Sequence, residues 1–499
     1  MELGLPIPAA LSSPKAGAMV GPLIKEKLMT PEEFRAAAHD MVDWMADYMA
    51  GVEGQVVCPR LAPGDILARL PAAPPEQGEA ITGIFADFQT LILPGMTHWQ
   101  HPSFFAYFPA NSSPPSVLAE MLTATLGAQC MSWQTSPAAT ELEQRVMEWI
   151  REMIGLPGNF SGVIQDTAST ATLCALVSAR ERVTAARGNE GGVADEGALC
   201  VYCSSEAHSS VEKAVKIAGM ARANLRKVAV DDAFAMRADA LAEAIVADIA
   251  AGRQPVAVVA ALGSTGSGAI DPLGSIGTLC TRHGIWLHVD AAWAGSALIL
   301  PEHRAMLAGI ESADSFVFNP HKWLFTNFDC SAYFVRDTAA LLGALAIQPE
   351  YLKTREDVAV HNYRDWGIQL GRRFRALKLW FVIRSYGVEG LKARIADHIA
   401  LAETLAARID AAADFELLAP RSLALLCLRW HPPWCDDEDQ LDRLNATLME
   451  RVNDTGKAYL THTRLGGRYT IRVSIGQTNT EARHVDALWQ QLQEQAAAL

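Results

Sequence analysis

Ile285-Trp286-Leu287-His288-Val289-Asp290-Ala291-Ala292 is an apolar run that ends in a carboxylate and two small residues. Ser315-Phe316-Val317-Phe318-Asn319-Pro320-His321-Lys322-Trp323 repeats the device, with a lysine just past the strand end. Outward from this pair the same unit recurs. Strand candidates lie at 162–165, 198–203, 226–230, 255–262, 285–289 and 314–318, with helical stretches between most of them. The alternation predicts an α/β chain built on a mostly parallel sheet covered by helices. In such sheets ligands bind outside the carboxyl ends of the strands, where Asp290 and Lys322 both fall.

The chemistry of those two positions is specific. A lysine amine of lowered pKa forms a Schiff base with an aldehyde. An aspartate at a neighbouring strand end can face a cationic ring nitrogen, and alanines beside it let a flat ring approach the backbone. A pyridoxal cofactor requires that pair of groups. A third segment, Gln165-Asp166-Thr167-Ala168-Ser169-Thr170-Ala171-Thr172, places small residues and hydroxyls at a strand-to-helix junction, which makes a phosphate cradle. His208, in Glu206-Ala207-His208-Ser209-Ser210, is a fourth element.

Each element alone has an ordinary explanation. Asp is a turn former, Lys a solvated charge, Ser and Thr common helix caps, and a lone His a satisfied structural residue. The four together, in this order, carry the reading. A nucleotide site is the rival, because Gly263-Ser264-Thr265-Gly266-Ser267-Gly268 follows an apolar strand and Asp290 lies beyond it. Its glycine order is wrong for a dinucleotide loop, Asp271-Pro272 interrupts the helix that should start there, and no P-loop ending is present.

The rest of the chain frames this centre. Its 499 residues predict two or three domains, with expected boundaries at 1–112, 113–377 and 378–499. A formal net charge of -14 argues against nucleic acid and anionic membranes as partners. No apolar run approaches the ~20 residues of a membrane span. Nine cysteines without framework spacing, such as Cys174 and Cys427 in apolar stretches, point to free thiols and a cytoplasmic location. Cys200 and Cys203 form a C-x-x-C with no second pair to complete a metal site, so no metal is expected. Residues 1–28 carry no secretory pattern and read as a loosely docked extension.

Thr30-Pro31-Glu32-Glu33 opens a helix with a capping box. Phe34, Met41, Val42, Met45 and Met49 form its apolar face, for packing on another subunit or on a satellite core. A second helix is expected near 80–93, and Ser136 and Pro137 open another that runs to about Ile154. Beyond Arg373 the pattern predicts helices at 374–386, 388–410, 437–455 and 479–496. With strands at 422–430 and 468–475 these make a smaller α+β domain.

These residues resemble the group II pyridoxal-5′-phosphate (PLP) decarboxylases, and within them the aromatic-L-amino-acid decarboxylases. Asn319-Pro320-His321-Lys322-Trp323 carries the resemblance most specifically. His288 to Ala292, Ala207 to Ser210, Ser136 to Glu143, Phe104 to Pro109 and Leu370 to Arg375 support it. The resemblance implies PLP fold type I, with a seven-stranded sheet and a homodimer whose active sites lie at the interface. The activity it implies is decarboxylation of tryptophan, 5-hydroxytryptophan, DOPA, tyrosine or phenylalanine. By position, Lys322 would bond the cofactor, Asp290 would pair with its ring nitrogen, and His208 and Ala292 would flank the ring. Ala168, Ser169, Thr265 and Asn319 would anchor it, mainly at the phosphate. His321, Tyr107, Phe108, Pro109, Met131 and Gly371 would line the substrate pocket, with Tyr351 as proton donor. Ala110 and Met131 depart from the animal enzymes, and Gly371 matches members that accept indoles. An aldehyde synthase of the same family and a non-aromatic decarboxylase are the alternatives.

Overall fold

The computed structural model describes residues 29–347 and 360–499. Seven strands form the main sheet: β1 (Ser161–Gln165), β2 (Leu199–Ser204), β3 (Leu225–Val228), β4 (Gln254–Ala261), β5 (Trp286–Asp290), β6 (Ser315–Phe318) and β7 (Ser331–Val335). Their order is β1-β7-β6-β5-β4-β2-β3. Strands β3, β2, β4, β5 and β6 run parallel. β7 is antiparallel to both β6 and β1.

β7 is the strand missing from the sequence expectation, and its direction has a simple cause. Between β6 and β7 the chain holds only one short helical turn, Pro320–Trp323. A parallel return needs a crossover element, usually a helix, that carries the chain back along the sheet, and a four-residue turn does not, so the chain folds straight back. Lys322 sits on that return, at the carboxyl end of β6.

Helices cover both faces of the sheet, and the apolar residues divide into two large clusters across it. Cys200 belongs to one and Cys203 to the other. Residues three apart on a strand face opposite sides, so the two thiols cannot share a metal. Both are free and buried.

A second sheet of four strands follows: β8 (Phe415–Leu417), β9 (Leu425–Trp430), β10 (Thr461–Leu465) and β11 (Arg468–Ser474), in the order β10-β11-β9-β8. All its pairings are antiparallel. Its partners include helices Glu438–Asp454 and Ala482–Ala497. The two helices expected at 374–386 and 388–410 form one element, Arg375–Ala411, broken at Gly387. There φ is 66° and ψ 168°, a conformation that glycine adopts without steric cost. β8 and β10 were not anticipated, one being very short and the other polar from Thr461 to Arg464.

The capping box at Thr30 forms as expected, with Glu33 N–H on Thr30 Oγ1 at 3.1 Å and Thr30 N–H on Glu33 Oε2 at 2.8 Å. Helix Pro31–Gly51 nevertheless buries none of its residues against the rest of the chain, and Phe34 is 59% exposed. The second helix spans the expected stretch, Ile81–Asp87 continuing as a π turn at Phe88–Ile92. Ser136 precedes helix Pro137–Ile154 but does not cap it. Its hydroxyl donates to the Gln129 carbonyl at 3.0 Å instead.

Candidate active site

The strand ends are stitched together before any side chain enters. Ala291 N–H donates to Val317 O and Asn319 N–H to Ala292 O, both at 2.9 Å. This fixes Asp290 and Lys322 on adjacent strand ends around a cavity of about 210 Å³. The cavity also takes Ala168 and Ser169 from the first turn of helix Ala168–Thr184, and Thr265 from the loop after β4. Ala292, His208, Asn319, His321 and Phe108 complete the expected residues that the fold brings there.

The Lys322 amine lies 5.2 Å from the centroid of the Phe108 ring, and what remains accessible of the residue opens on the cavity. Burial lowers its pKa below the ordinary lysine value. Asp290 pushes it back up, and Arg472 adds to the lowering. A neutral amine is the nucleophilic form. Asp290 accepts from Ala292 N–H at 3.0 Å through one carboxylate oxygen, which leaves the other for a ligand.

Three histidines surround the site, and for His208 and His321 a backbone N–H partner decides the tautomer. Ser210 N–H donates to His208 Nδ1 at 3.1 Å. A backbone N–H only donates, so the neutral ring carries its proton on Nε2. Burial lowers the His208 pKa, opposed by Asp290. Cys330 N–H donates to His321 Nδ1 at 2.9 Å, and burial pushes that ring down to about 3. His288 lies behind Asp290, with Ser315 Oγ 2.9 Å from Nδ1 and Thr172 Oγ1 3.3 Å from Nε2. It thereby ties β5 and β6 to the cradle helix, and burial pushes it down to about 4.

The remaining expected pocket residues lie elsewhere. Tyr107 is 49% exposed and lines a neighbouring groove with His208, Thr265 and Arg472. Pro109 is buried against the Gly476 backbone. Met131 and Gly371 sit together in another cluster, where Cys130 N–H bonds Arg372 O at 2.9 Å and Arg372 N–H bonds Gln129 Oε1 at 2.7 Å. Tyr351 lies outside the described residues.

Two polar residues at the site escaped the sequence reading. Arg472 is 4% exposed, with its guanidinium 5.1 Å from the Phe108 centroid. It donates through Nε to Gly266 O at 3.1 Å, while Nη2 has no partner among the described residues. A lone arginine inside the apolar run Tyr469-Thr470-Ile471-Arg472-Val473 was the available signal. Asn111, 1% exposed, holds the Lys322 carbonyl through its Nδ2 at 2.6 Å. In sequence, Asn111-Ser112-Ser113 reads only as a turn.

The loop Gly263–Gly268 does not open a helix. It closes on itself, with Gly263 N–H on Ala269 O at 3.0 Å, and the next helix starts only at Leu273. A dinucleotide pyrophosphate therefore finds no helix N-terminus there.

The family model of the pyridoxal-dependent decarboxylase conserved domain matches residues 63–431. The chain belongs to the pyridoxal-dependent decarboxylase family. Phenylacetaldehyde synthase of Arabidopsis thaliana is 43% identical over 483 residues, 95% of this chain and 98% of that protein. Tryptophan decarboxylase 2 of Oryza sativa subsp. japonica is also 43% identical, over 94% of this chain and 95% of its own. The crystal structure of Oryza sativa TDC with PLP and tryptamine superposes with a TM-score of 0.92 at 37% identity, over 95% of this chain and 99% of that one. The seven-stranded sheet and the small antiparallel domain of this family member are thus the PLP fold type I architecture.

The family's cofactor fits the residues present. Asp290 offers a carboxylate oxygen for a ring nitrogen and Lys322 an amine for an aldehyde. The first-turn amides of Ala168 and Ser169 precede the helical hydrogen-bond ladder and suit an anion. His208 and Ala292 line the cavity and would flank a flat ring, and Ser331 Oγ holds Asn319 Oδ1 at 2.6 Å, turning its amide nitrogen to other partners.

Proposed function

We propose that this enzyme removes the carboxylate of an aromatic L-amino acid as carbon dioxide, yielding the arylalkylamine, with PLP bonded through Lys322. The observation that carries the reading is the pairing of Lys322 and Asp290 at adjacent strand ends of one cavity that also contains a helix N-terminus. When bound, the cofactor supplies an electron sink for the bond that breaks at Cα. Asp290 keeps a proton on the ring nitrogen. His208, with its Nε2 proton, covers one face and Ala292 leaves room on the other. Phe108 excludes water beside the Lys322 amine. The buried Nη2 of Arg472, without a partner among the described residues, holds positive charge beside Phe108 and Lys322. Tyr351 returns a proton to Cα.

The active assembly in this proposal is a homodimer. Phe34 and Val42 on helix Pro31–Gly51 and Leu118, Leu122 and Leu126 on helix Pro114–Leu126 are exposed apolar residues on an otherwise acidic chain. A second copy covers them and brings Met131 and Gly371 to its partner's cavity. The domain division at 1–112, 113–377 and 378–499 belongs to the same proposal, its last boundary lying near the start of helix Arg375–Ala411. A cytoplasmic location agrees with nine free thiols, eight of them buried. No helix among the described residues is long and apolar enough to cross a membrane.

The second reading is an aldehyde synthase, favoured by the 43% identity to a protein of that name. The deciding experiment incubates the holoenzyme under air with tryptophan, DOPA, tyrosine, phenylalanine and glutamate. Carbon dioxide and amine in equal amounts from an aromatic substrate support the proposal. Aldehyde with peroxide favours the synthase, and release from glutamate alone overturns the aromatic assignment.

A further inference from the structure

Asn111 belongs to none of the chemical groups above, yet its side chain is bonded at both ends. Nδ2 donates to Lys322 O at 2.6 Å and to Gly476 O at 2.7 Å. Oδ1 accepts from Thr478 N–H and from Thr478 Oγ1, both at 2.9 Å. The backbone N–H of Asn111 donates to His321 O at 2.9 Å. The donor Thr478 N–H fixes which end of the amide is oxygen. Both Nδ2 hydrogens and one Oδ1 lone pair are therefore used in a site that is 1% exposed, and the single Thr478 hydroxyl proton lies between Asn111 Oδ1 and Ser112 O.

The three segments it joins are distant in sequence. Asn111 follows Phe108, whose ring neighbours the lysine amine. His321 and Lys322 are on the β6–β7 return. Gly476 and Thr478 follow β11 in the small domain. Trp323 is held from the same side, its Nε1 donating to His398 Nδ1 at 3.0 Å from helix Arg375–Ala411. The turn that carries the lysine is thus braced from the small domain, and among the described residues Asn111 is the one side chain that grips the Lys322 peptide itself.

We infer that Asn111 is a positioning residue, which sets the reach of the Lys322 amine by tying its carbonyl to the small domain. The inference rests on the reading of Lys322 as the cofactor lysine. A misplacement of about 1 Å in such a constellation costs on the order of a hundredfold in rate. Removing the amide frees two carbonyls and lets the turn relax, so the cost falls on the chemical step more than on substrate capture.

The test uses holo wild type, Asn111→Ala, Thr478→Val and Asn445→Ala. Asn445 is a comparably buried amide that binds Trp430 far from the lysine turn, so its loss reports stability alone. The visible absorbance of the cofactor–lysine chromophore is titrated with pH, and kcat and KM are measured separately. In Asn111→Ala the chromophore pKa shifts by at least about half a unit and kcat falls about ten- to a hundredfold, with KM changed less than about threefold. Thr478→Val shifts both in the same direction by less, and keeps the test open if Asn111→Ala does not fold. Asn445→Ala lowers the melting temperature without moving the chromophore. If Asn111→Ala, or Thr478→Val in its place, titrates and turns over as wild type does, the inference is overturned. If borohydride fixes no cofactor on Lys322 of the wild type, the reading of the lysine fails instead.

Discussion

Arg372→Ala removes one half of a buried ion pair that sets the segment carrying Gly371. Arg372 bonds Glu143 through two nitrogens, at 2.6 and 3.1 Å, and donates to Ile164 O at 2.8 Å. Its guanidinium lies 5.0 Å from the Tyr363 ring centroid. The two side chains are 7% and 3% exposed, so solvent does not take over when the pair is broken. Glu143 keeps only the Ile164 N–H at 2.9 Å. Breaking a buried pair from one side costs about 3–5 kcal/mol, because the remaining charge is left uncompensated. The assay is the urea midpoint of cofactor-free protein for Arg372→Ala, Glu143→Gln and the double variant. The double variant, with no stranded charge, is expected to recover a substantial part of the Arg372→Ala loss. A loss below about 1 kcal/mol in Arg372→Ala, the size of an exposed pair, would refute the reasoning.

Four further outcomes are expected. A Cβ on Gly371 meets only Gln129 Nε2, at 3.2 Å, the flexible end of a side chain. Gly371→Ser therefore leaves the melting temperature near wild type while lowering kcat/KM for indole substrates by about 1–3 kcal/mol relative to phenolic ones; equal losses would remove Gly371 from ring selection. Buried Asp271 titrates at about 6, its carboxyl held up by burial against the Ala261 and Met236 amides. A carboxyl raised in the fold favours the folded state at low pH, so its contribution falls away between about pH 4 and 6. The stability gap between wild type and Asp271→Asn, read from urea midpoints, narrows as pH rises through that window, and a constant gap contradicts the assignment. Leu122→Glu, at a 48% exposed position, gives monomeric, inactive protein by sedimentation if the proposed dimer face is right. Tyr351→Phe keeps carbon dioxide release while product shifts from amine toward aldehyde; amine at the wild-type rate would assign the proton to another group.

What the sequence made legible was whatever is local. Asp290, Lys322 and the Thr167–Ser169 turn could be read because each ends a strand or opens a helix, and a parallel sheet gathers those ends on one edge. Gly387 could be read because a helix break is written in one residue. β7 could not, since its antiparallel insertion between β1 and β6 depends on the lack of a crossover helix in the return and on a pairing made across the sheet. Asn111 and Arg472 were hidden for a related reason. Their partners, Lys322 and Gly476 for one and Gly266 for the other, are brought by separate parts of the chain. Met131 and Gly371, expected to line the substrate pocket, sit in a cluster of their own beside Gln129 and Arg372, apart from the Lys322 cavity of the same chain.

The central claim is that the buried amine beside Asp290 holds the cofactor. The most direct measurement is borohydride reduction of the yellow holoenzyme, followed by peptide mapping. Loss of the visible band and a fixed pyridoxyl adduct on Lys322 are expected, with none in Lys322→Ala. An adduct on any other lysine of the wild type, or no visible band after PLP is supplied, would contradict it.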